Sequence, residues 1–303
     1  MLSSLKNLKM RKLLFLLLPL VFSLASCSKK KTLNVPKQFK LPMELAEVSG
    51  LYYQNFDKLW WLNDSGGQPK LYQTNAKGIL SKTILLDNTI NKDWEELSHD
   101  DQGNIYIGDF GNNRSDRKDL RIYIYQPEKM TLDSITFTYP DQELFPPPSS
   151  KCNFNMEAFF WHQGDLHLFS KNRFNVGDYF TKHYVLEAKA GTQVAVLKDR
   201  IFLKDRVVTA AAISPDGNTI VLLYYHYKKR KYSLPKSRTS VFFFRNFEGT
   251  TFFKGEMKKQ KGPILIFATQ YESLDFLDNK NILVASEKTK YFRQPAKRLK
   301  VKW

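Results

Sequence analysis

The chain has 303 residues and a formal net charge of +17, with 47 Lys and Arg against 30 Asp and Glu. It is rich in aromatic residues, with 23 Phe, 15 Tyr and 5 Trp, and this composition favours strands over helices. Of its two cysteines, Cys27 directly follows the leader described next, where it is expected to carry lipid, and Cys152 is then the single remaining thiol. An internal disulfide is therefore excluded, and the hydrophobic core must stabilise the fold.

Residues 1–26 are predicted to form a signal peptide. Basic residues precede the apolar run LLFLLLPLVFSLAS, which is too short to span a membrane comfortably. The run ends at LASC, in which Cys27 is the fourth residue, and this arrangement resembles the signal of a bacterial lipoprotein. The resemblance implies that Cys27 carries lipid and attaches the protein to a membrane face without a spanning helix. The alternative is an uncleaved anchor, or an ordinary signal peptide with a chance cysteine.

After the leader, the sequence predicts a basic tether (27–32) and one domain (33–303). We expect the protein in the cell envelope, on the periplasmic side of the outer membrane, with surface display as an alternative. We also expect a monomer. Basic residues cluster in the segments 226–238, 254–261 and 288–303. They predict either solvated loops or contact with an anionic surface, such as lipid head groups or acidic glycans. Nucleic acid is not an expected partner, since no nucleic-acid motif occurs.

Five similar units follow one another along this domain. Each has a short strand, a turn and a second apolar strand, and the units begin at residues 47, 93, 155, 209 and 270. Their turns carry the Asp, Asn and Gly residues that hairpins require. Two more strand-like runs follow most units, and no convincing amphipathic helix occurs. Four strands per unit predict an all-β fold, a β-propeller of five blades closed by the N-terminal strand, with six blades as the rival.

Polar residues recur at one place in the first strand of these units. Aligning the second apolar strands brings together Ser49, Glu95, Glu157, Ala211 and Glu272. Two positions earlier stand Glu47, Asp93, Asn155, Thr209 and Gln270. Residues two apart share a face of a strand, and the first strand of a propeller blade lines the central channel. The sequence therefore predicts two rings of polar side chains at one channel mouth, while Glu96 should point away from them and form a hydrogen bond or pack within the blades.

Converging carboxylates need a cation, a basic partner or protons, because they repel one another and lose hydration. Calcium takes six to eight oxygen ligands, and the two rings offer only oxygen ligands. Zinc is disfavoured, because the histidines show no metal-ligand spacing. The predicted ligands are Glu47, Asp93, Glu95, Asn155, Glu157, Gln270 and Glu272. Two alternatives are that these residues only form hydrogen bonds with backbone and buried water, or that they bind a ligand directly.

The ends of the second strands should open toward the same mouth. They and the residues beside them supply acids together with a few basic groups, which could bind a metal–phosphate unit or a polyol. Solvated loops would explain them equally well. The candidate ligand-binding residues are Asp64, Asp109, Lys171, Arg173 and Glu287.

Several stretches resemble exported bacterial propeller proteins, among them LWWLNDSGGQPKLYQTNAKG, MEAFFWHQGDLHLFSKNR and QYESLDF. The group is described as SdiA-regulated-like or phytase-esterase-like, and the resemblance implies a propeller without an established activity. MEAFFW, YIGDFGNN and VASEK are more loosely similar to motifs of the calcium-activated nucleotidases, which have five blades and a channel calcium ion. That likeness implies that Glu157, Glu272 and Glu287 lie near a metal. The sequence differs from the nucleotidase pattern at Ala211, whose side chain has no ligand atom.

Two functional hypotheses follow. The first is a lipid-anchored binding propeller with a cation in its channel. The second is a metal-dependent phosphoester hydrolase, in which Glu95, Glu157 and Glu272 carry the ion while Lys171 and Arg173 face the phosphate. The sequence shows neither a phosphate-binding Gly loop nor a G-x-S-x-G elbow.

Overall fold

A computed structural model of the chain describes residues 33–172, 178–204, 206–228, 236–265, 270–288 and 293–303. These residues form five sheets arranged as the blades of a β-propeller, and within each blade the four strands pair antiparallel. The predicted all-β class and the five blades are confirmed, and the six-bladed alternative is wrong. Among the described residues there is no helix with the length and apolar character needed to cross a membrane. The predicted leader, the tether and Cys27 lie outside the described residues.

Each blade has four strands that follow one another outward from the channel. Blade 1 contains β2 (Val48–Asn55), β3 (Lys58–Asn63), β4 (Lys70–Thr74) and β5 (Leu80–Leu85). Blade 2 contains β6 (Trp94–His99), β7 (Ile105–Asp109), β8 (Arg121–Gln126) and β9 (Thr131–Thr138). Blade 3 contains β10 (Met156–His162), β11 (Asp165–Ser170), β12 (Phe180–Glu187) and β14 (Val196–Phe202). Blade 4 contains β15 (Val207–Ile213), β16 (Ile220–Lys228), β17 (Lys236–Arg245) and β18 (Glu256–Leu265).

The N-terminal strand closes the ring, as predicted. Blade 5 contains β19 (Tyr271–Asp278), β20 (Asn281–Ser286), β21 (Pro295–Lys300) and, on its outer edge, β1 (Gln38–Lys40). Strand β1 pairs antiparallel with β21, so that Phe39 lies opposite Ala296. The first and last segments of the domain thus share one sheet, and this pairing protects an edge that would otherwise remain open.

One outer strand differs from the expected pattern. The strand-like run TQVAVLKD is divided at Ala195. Its first part, β13 (Gly191–Val194), pairs in parallel with β9 of blade 2. Its second part begins β14 of blade 3. The N–H of Ala195 donates to the carbonyl of Thr138 at 2.9 Å, so this short segment joins two blades at their outer edges.

Hydrophobic side chains fill the spaces between blades. Trp94 and Tyr123 of blade 2 pack with Trp60 of blade 1, and Phe110 of blade 2 packs with Phe159 of blade 3. The aromatic residues that the composition emphasises are therefore mainly core residues. The inner strands of successive blades lie side by side in the order β2, β6, β10, β15 and β19, with β19 beside β2. They surround the channel and fix the positions of the side chains that enter it.

Candidate functional site

The first strand of every blade carries a β-bulge at the same place. The pairing register shifts between Val48 and Leu51 in β2, and across a single residue in the other four inner strands. The residues at the bulges are Ser49 with Gly50, Glu95, Glu157, Thr209 and Glu272. A bulge changes the direction of a side chain and is frequent beside functional sites. This backbone feature explains why three glutamates occupy equivalent positions.

In blade 4 the predicted alignment was wrong by two residues. The bulge falls at Thr209, between Val208 and Ala210, so Thr209 and not Ala211 is equivalent to the three glutamates. The reason is the length of the hairpin turn. Ile213 pairs with Ile220 in blade 4, whereas His99 pairs with Ile105 in blade 2. Counting back through a longer turn therefore reached the wrong residue.

The ends of the second strands meet the beginnings of the first strands at this mouth. In four blades an N–H at the end of the second strand donates to a carbonyl that precedes or begins the first strand, at 2.8–3.2 Å. The pairs are Asp64 to Glu47, Gly111 to Asp93, Lys171 to Asn155, and Glu287 to Gln270. In blade 4, Tyr225 stands opposite Val207 at the corresponding place. Sequence reasoning missed Gly111 and Tyr225, although Tyr225 follows its apolar strand at the same spacing as Lys171.

Two groups of carboxylates at this mouth have a geometry that could hold a metal ion. Asp64, Asp93 and Glu95 form the first group, and Asp64, Glu272 and Glu287 form the second. Within each group one oxygen per residue lies within 4.8 Å of the others. Asp64 belongs to both groups, so it connects the carboxylates of blade 2 with those of blade 5.

Glu95 is the residue whose surroundings point most clearly to a missing partner. Its side chain is almost fully buried, and none of the described residues donates a hydrogen bond to its carboxylate. Burial raises the pKa of Glu95 well above its ordinary value, and the charges of Glu157 and Asp64 raise it further. An ionised Glu95 is therefore costly in the absence of a cation.

Gly111 has no side chain, and the carboxylates of Glu95 and Asp93 occupy the space beside it. A Cβ atom at Gly111 would lie 2.2 Å from Oε1 of Glu95 and 2.4 Å from Oδ2 of Asp93. These distances are much shorter than van der Waals contact, so only glycine permits the two carboxylates to converge here. Burial and the charges of Asp64 and Glu157 raise the pKa of Asp93 to about 6.

Asp109 supports the site instead of facing it. Its Oδ1 accepts the N–H of Asp93 at 3.1 Å and forms an ion pair with Nη2 of Arg117 at 3.1 Å. Nη1 of Arg117 also donates to the carbonyl of Gly111 at 2.8 Å. Arg117, which sequence reasoning did not identify, thus holds the glycine and the strand beginning at Asp93 in place. Asp109 was predicted to bind a ligand, but its contacts give it a positioning role.

Glu157 already has a cation. Nζ of Lys171 lies 2.6 Å from Oε2 of Glu157, and Nδ2 of Asn155 donates to Oε1 at 2.7 Å. Burial would lower the pKa of Lys171, but Glu157 and Glu272 raise it well above its ordinary value, so the ammonium group stays charged. Burial nevertheless raises the pKa of Glu157 to about 7. Glu157 therefore belongs to neither metal-capable group, and Asn155 serves as its hydrogen-bond donor.

Glu272 and Glu287 form a hydrogen bond with each other. Burial raises the pKa of Glu272 well above its ordinary value, and the charge of Glu287 adds to this effect. Burial also raises the pKa of Glu287. Such a pair shares a proton when no metal ion is bound. The second group can therefore accept a cation only by releasing that proton.

The remaining predicted residues lie outside these groups. Glu47 is exposed, and Gln270 is half-buried with an Oε1 that has no hydrogen-bond partner among the described residues. Arg173 lies outside the described residues. Glu96 forms the predicted hydrogen bonds, because its Oε1 accepts the N–H groups of Leu51 and Leu97 at 3.2 and 2.9 Å.

The ligand chemistry of the site fits a hard cation. The metal-capable groups among the described residues contain only carboxylate oxygens, the ligands that calcium and magnesium prefer. His167 and His183 lie buried in blade 3, where a hydrogen bond of 2.9 Å joins Nδ1 of His167 and Nε2 of His183. The described imidazoles therefore contribute to neither group, and zinc is disfavoured.

Comparison with known proteins gives only distant likenesses. No protein-family model matches the sequence, and no curated protein matches it either. A gluconolactonase of Xanthomonas campestris is similar in structure, with a TM-score of 0.46 and 10% identity over 87% of this chain and 89% of that one. Hydrazine synthase of Kuenenia stuttgartiensis gives a TM-score of 0.40 and 13% identity over 81% of this chain, which spans 57% of that chain. The assignment of five blades therefore rests on the sheet topology of the chain itself.

Proposed function

We propose that this propeller is a binding protein of the cell envelope whose channel mouth binds a divalent cation, with calcium as the ion best suited to its ligands. The cation is held by Asp64, Asp93 and Glu95. The observation that carries the proposal is Glu95, a buried carboxylate that accepts no hydrogen bond from the described residues and converges with two other carboxylates.

The electrostatics of the mouth support a cation. Lys171 forms an ion pair with Glu157, and the raised pKa values of Glu272 and Glu287 favour a proton between these two carboxylates. Asp93 and Glu95 have no such contact among the described residues, and the charges of Arg117 and Lys171 only partly offset the raised pKa values of Asp93 and Glu95, respectively. Binding of a divalent ion replaces the lost hydration of these carboxylates with direct coordination. Water and backbone oxygens would complete the six to eight ligands that calcium takes.

Binding is favoured over hydrolysis by the position of Lys171. The hydrolase hypothesis requires Lys171 to face a phosphate, but its ammonium group is paired with Glu157 at 2.6 Å. A phosphate group would have to compete with that buried carboxylate. The resemblances to the phytase-esterase-like group and to the calcium-activated nucleotidases keep metal-dependent phosphoester hydrolysis as the second candidate.

Calorimetric titration of the chelator-treated protein with CaCl₂ tests the cation. We expect saturable binding that the Asp64→Asn variant weakens strongly, since Asp64 belongs to both groups. Asp87→Asn is the matched control, because Asp87 is exposed on the outer part of blade 1. Absence of binding in the unmodified protein, or equal binding in both variants, would overturn the proposal.

Catalysis is tested separately. A set of phosphomonoesters and nucleotides is incubated with the protein in the presence of calcium and again with chelator. The binding proposal predicts no calcium-dependent turnover. Turnover that disappears with chelator and in Asp64→Asn would instead establish the hydrolase.

The cell-envelope part of the proposal rests on the lipoprotein-like signal before Cys27. Metabolic labelling with a fatty-acid alkyne should label the unmodified protein and the Cys152→Ser variant, whereas Cys27→Ser should remain unlabelled. Labelling of Cys27→Ser at the unmodified level would contradict lipid attachment at that residue.

A further inference from the structure

The opposite end of the channel contains a second cavity, which the proposed function does not use. It has a volume of about 550 Å³ and lies beside the hairpins that join the first and second strands. All five blades contribute to its wall, through residues such as Tyr53, His99, Trp161, Ile213 and Asp275. These residues stand in the C-terminal halves of the inner strands, whereas the metal-capable carboxylates stand at the N-terminal ends or on adjoining loops.

We propose that this cavity binds a small organic cation, an ammonium group carried on an apolar body. Asp275 would pair with the ammonium group, and the aromatic side chains would contact the apolar body and the cation. The proposal is independent of the metal site at the other mouth.

The charge of the cavity is opposite to that of the whole chain. The charged side chains that line it are Asp101, Asp216 and Asp275, and no Lys or Arg occurs among the described lining residues. Burial lowers the pKa of the two lining histidines, His99 and His162, so both are largely uncharged at neutral pH. A chain with a net charge of +17 therefore presents an acidic cavity here, which favours cations over anions.

Asp275 is held in a fixed orientation. Its Oδ2 accepts the N–H of Tyr53, in the neighbouring blade, at 2.7 Å, and its Oδ1 accepts the N–H of Phe276 at 2.7 Å. Burial raises the pKa of Asp275 to about 7, and none of the ion pairs among the described residues includes this carboxylate. A metal ion is not the expected partner, because the groups of three possible metal ligands among the described residues lie at the other mouth.

The wall is preformed by contacts between blades. The N–H of Trp161 donates to Oγ of Ser98 at 2.7 Å, and the ring of His99 stacks on Tyr52 at 3.8 Å between centroids. On the opposite side the N–H of Asp216 donates to Oδ1 of Asn279 at 3.3 Å. A cavity that is organised before binding loses little conformational freedom when a ligand enters.

The lining suits an apolar body as well as a charge. Leu51, Leu97 and Leu274 lie in the channel beneath the mouth, while Tyr53 and Trp161 stand half-buried at its rim. A bare inorganic cation would leave these apolar surfaces unused, and a neutral apolar molecule would leave Asp275 without its partner. An aryl or alkyl ammonium ion satisfies both.

Titration with 2-phenylethylammonium chloride tests the inference, and 2-phenylethanol serves as the neutral probe of the same shape. We expect saturable binding of the ammonium ion that shifts the indole N–H signal of Trp161, and binding of the alcohol that is about tenfold weaker or more. Equal binding of both probes, or no saturable binding of the ammonium ion in the millimolar range, would overturn the proposal.

Variants locate the site. Asp275→Asn should weaken ammonium binding by about tenfold or more, whereas Glu95→Gln, at the metal mouth, should bind the probe like the unmodified protein. Asn supplies only one oxygen for the two N–H donors, so Asp275→Asn is checked for folding by circular dichroism. If Asp275→Asn does not fold, Tyr53→Leu is used to test the location instead. This change keeps the backbone N–H that Asp275 accepts and removes the aromatic ring, so it should weaken ammonium binding severalfold. Unchanged binding in the folded variant, or weakened binding in Glu95→Gln, would contradict the proposed location.

Discussion

Two kinds of blade can be distinguished at the bulge of the inner strand. In blades 1 and 4 the bulge carries a hydroxyl, and in blades 2, 3 and 5 it carries a glutamate. Oγ1 of Thr209 donates to the carbonyl of Tyr271 at 2.9 Å, and Oγ of Ser49 donates to the carbonyl of Glu95, so each hydroxyl links its blade to the next. The bulge thus places a hydrogen-bond donor to the neighbouring strand in two blades, and it places a carboxylate in the other three.

The three glutamates also differ from one another. Glu157 is paired with Lys171 and Glu272 is hydrogen-bonded to Glu287, whereas Glu95 has neither kind of partner within the described part of the chain. Repetition of a fold therefore does not produce repetition of chemistry. The residue that pairs with the position two before each bulge decides the outcome, and it is Lys171 in blade 3, Glu287 in blade 5 and Gly111 in blade 2.

The largest effect on calcium binding is expected from Gly111→Ala, because blade 2 differs from blades 3 and 5 in having a glycine at this position. The added methyl group would overlap with Glu95 and Asp93 and separate the two carboxylates. Calcium binding should fall below detection by calorimetry, and the free energy of unfolding should fall by about 1–3 kcal/mol. Gly67→Ala is the matched control, because nothing lies within 4 Å of a Cβ built there. Calcium binding by Gly111→Ala at the level of that control would remove blade 2 from the site.

Glu95→Gln and Glu157→Gln compare an unpartnered glutamate with a paired one. Glu95→Gln should weaken calcium binding roughly 100-fold, since a buried charged contact contributes a few kcal/mol. The same change should stabilise the ion-free protein near pH 8, because a repelled charge disappears. Glu157→Gln should have a much smaller effect on affinity and should destabilise the fold, since Lys171 loses its carboxylate. Equal losses of affinity in the two variants would show that the glutamates act as one symmetrical ring.

The pH dependence should also report the buried carboxylates of this mouth. Asp93 and Glu157 have pKa values raised to about 6 and about 7, so they bind protons more tightly in the folded protein than in the unfolded chain. The free energy of unfolding of the ion-free protein should therefore decrease as pH rises from about 7 to about 8, above the range in which histidines of lowered pKa, such as His99 and His167, have the opposite effect. Asp119 and Asp216, whose pKa values are lowered, titrate below this window.

Calcium should reverse this trend, because it binds only the deprotonated groups. Its affinity should rise about tenfold per pH unit for each proton that it displaces. Melting curves recorded with calcium and with chelator between about pH 5 and pH 8 measure both effects. A calcium-induced stabilisation that is independent of pH would contradict a site built from these carboxylates.

The smallest effect is expected at a bulge that carries a hydroxyl. Thr209→Val removes the donor to the carbonyl of Tyr271, so the free energy of unfolding should fall by about 1–2 kcal/mol. Calcium affinity should not change, because Thr209 belongs to neither metal-capable group. Chemical denaturation and calorimetry give the two values, and a loss of affinity would place blade 4 in the cation site.

The sequence predicted the blades well because their signals are local. Period-two apolar residues and hairpin turns determine each sheet, and the pairing of Phe39 with Ala296 confirms that the N-terminal strand closes the ring. The shared position of Glu95, Glu157 and Glu272 was also visible, because their hairpin turns are similar in length. The alignment failed in blade 4, where a longer turn moved the equivalent residue to Thr209.

The partners of these residues could not be predicted. The ion pair between Lys171 and Glu157 depends on how two side chains point across one blade, and the position of Asp64 between Asp93 and Glu287 depends on the curvature of the ring. The space beside Glu95 depends on Gly111, which resembles any loop glycine in the sequence. Arg117 was missed because it contacts Asp109 from a loop outside the repeated strands.

The most direct test is the position of the ion itself. Crystals of the protein grown with calcium, and a second set soaked with manganese, would be examined by anomalous diffraction. The account predicts a peak for each ion between the carboxylates of Asp64, Asp93 and Glu95, and no peak there in Glu95→Gln. Crystals without a peak at this mouth, or with a peak bounded by other residues and unchanged in Glu95→Gln, would contradict it.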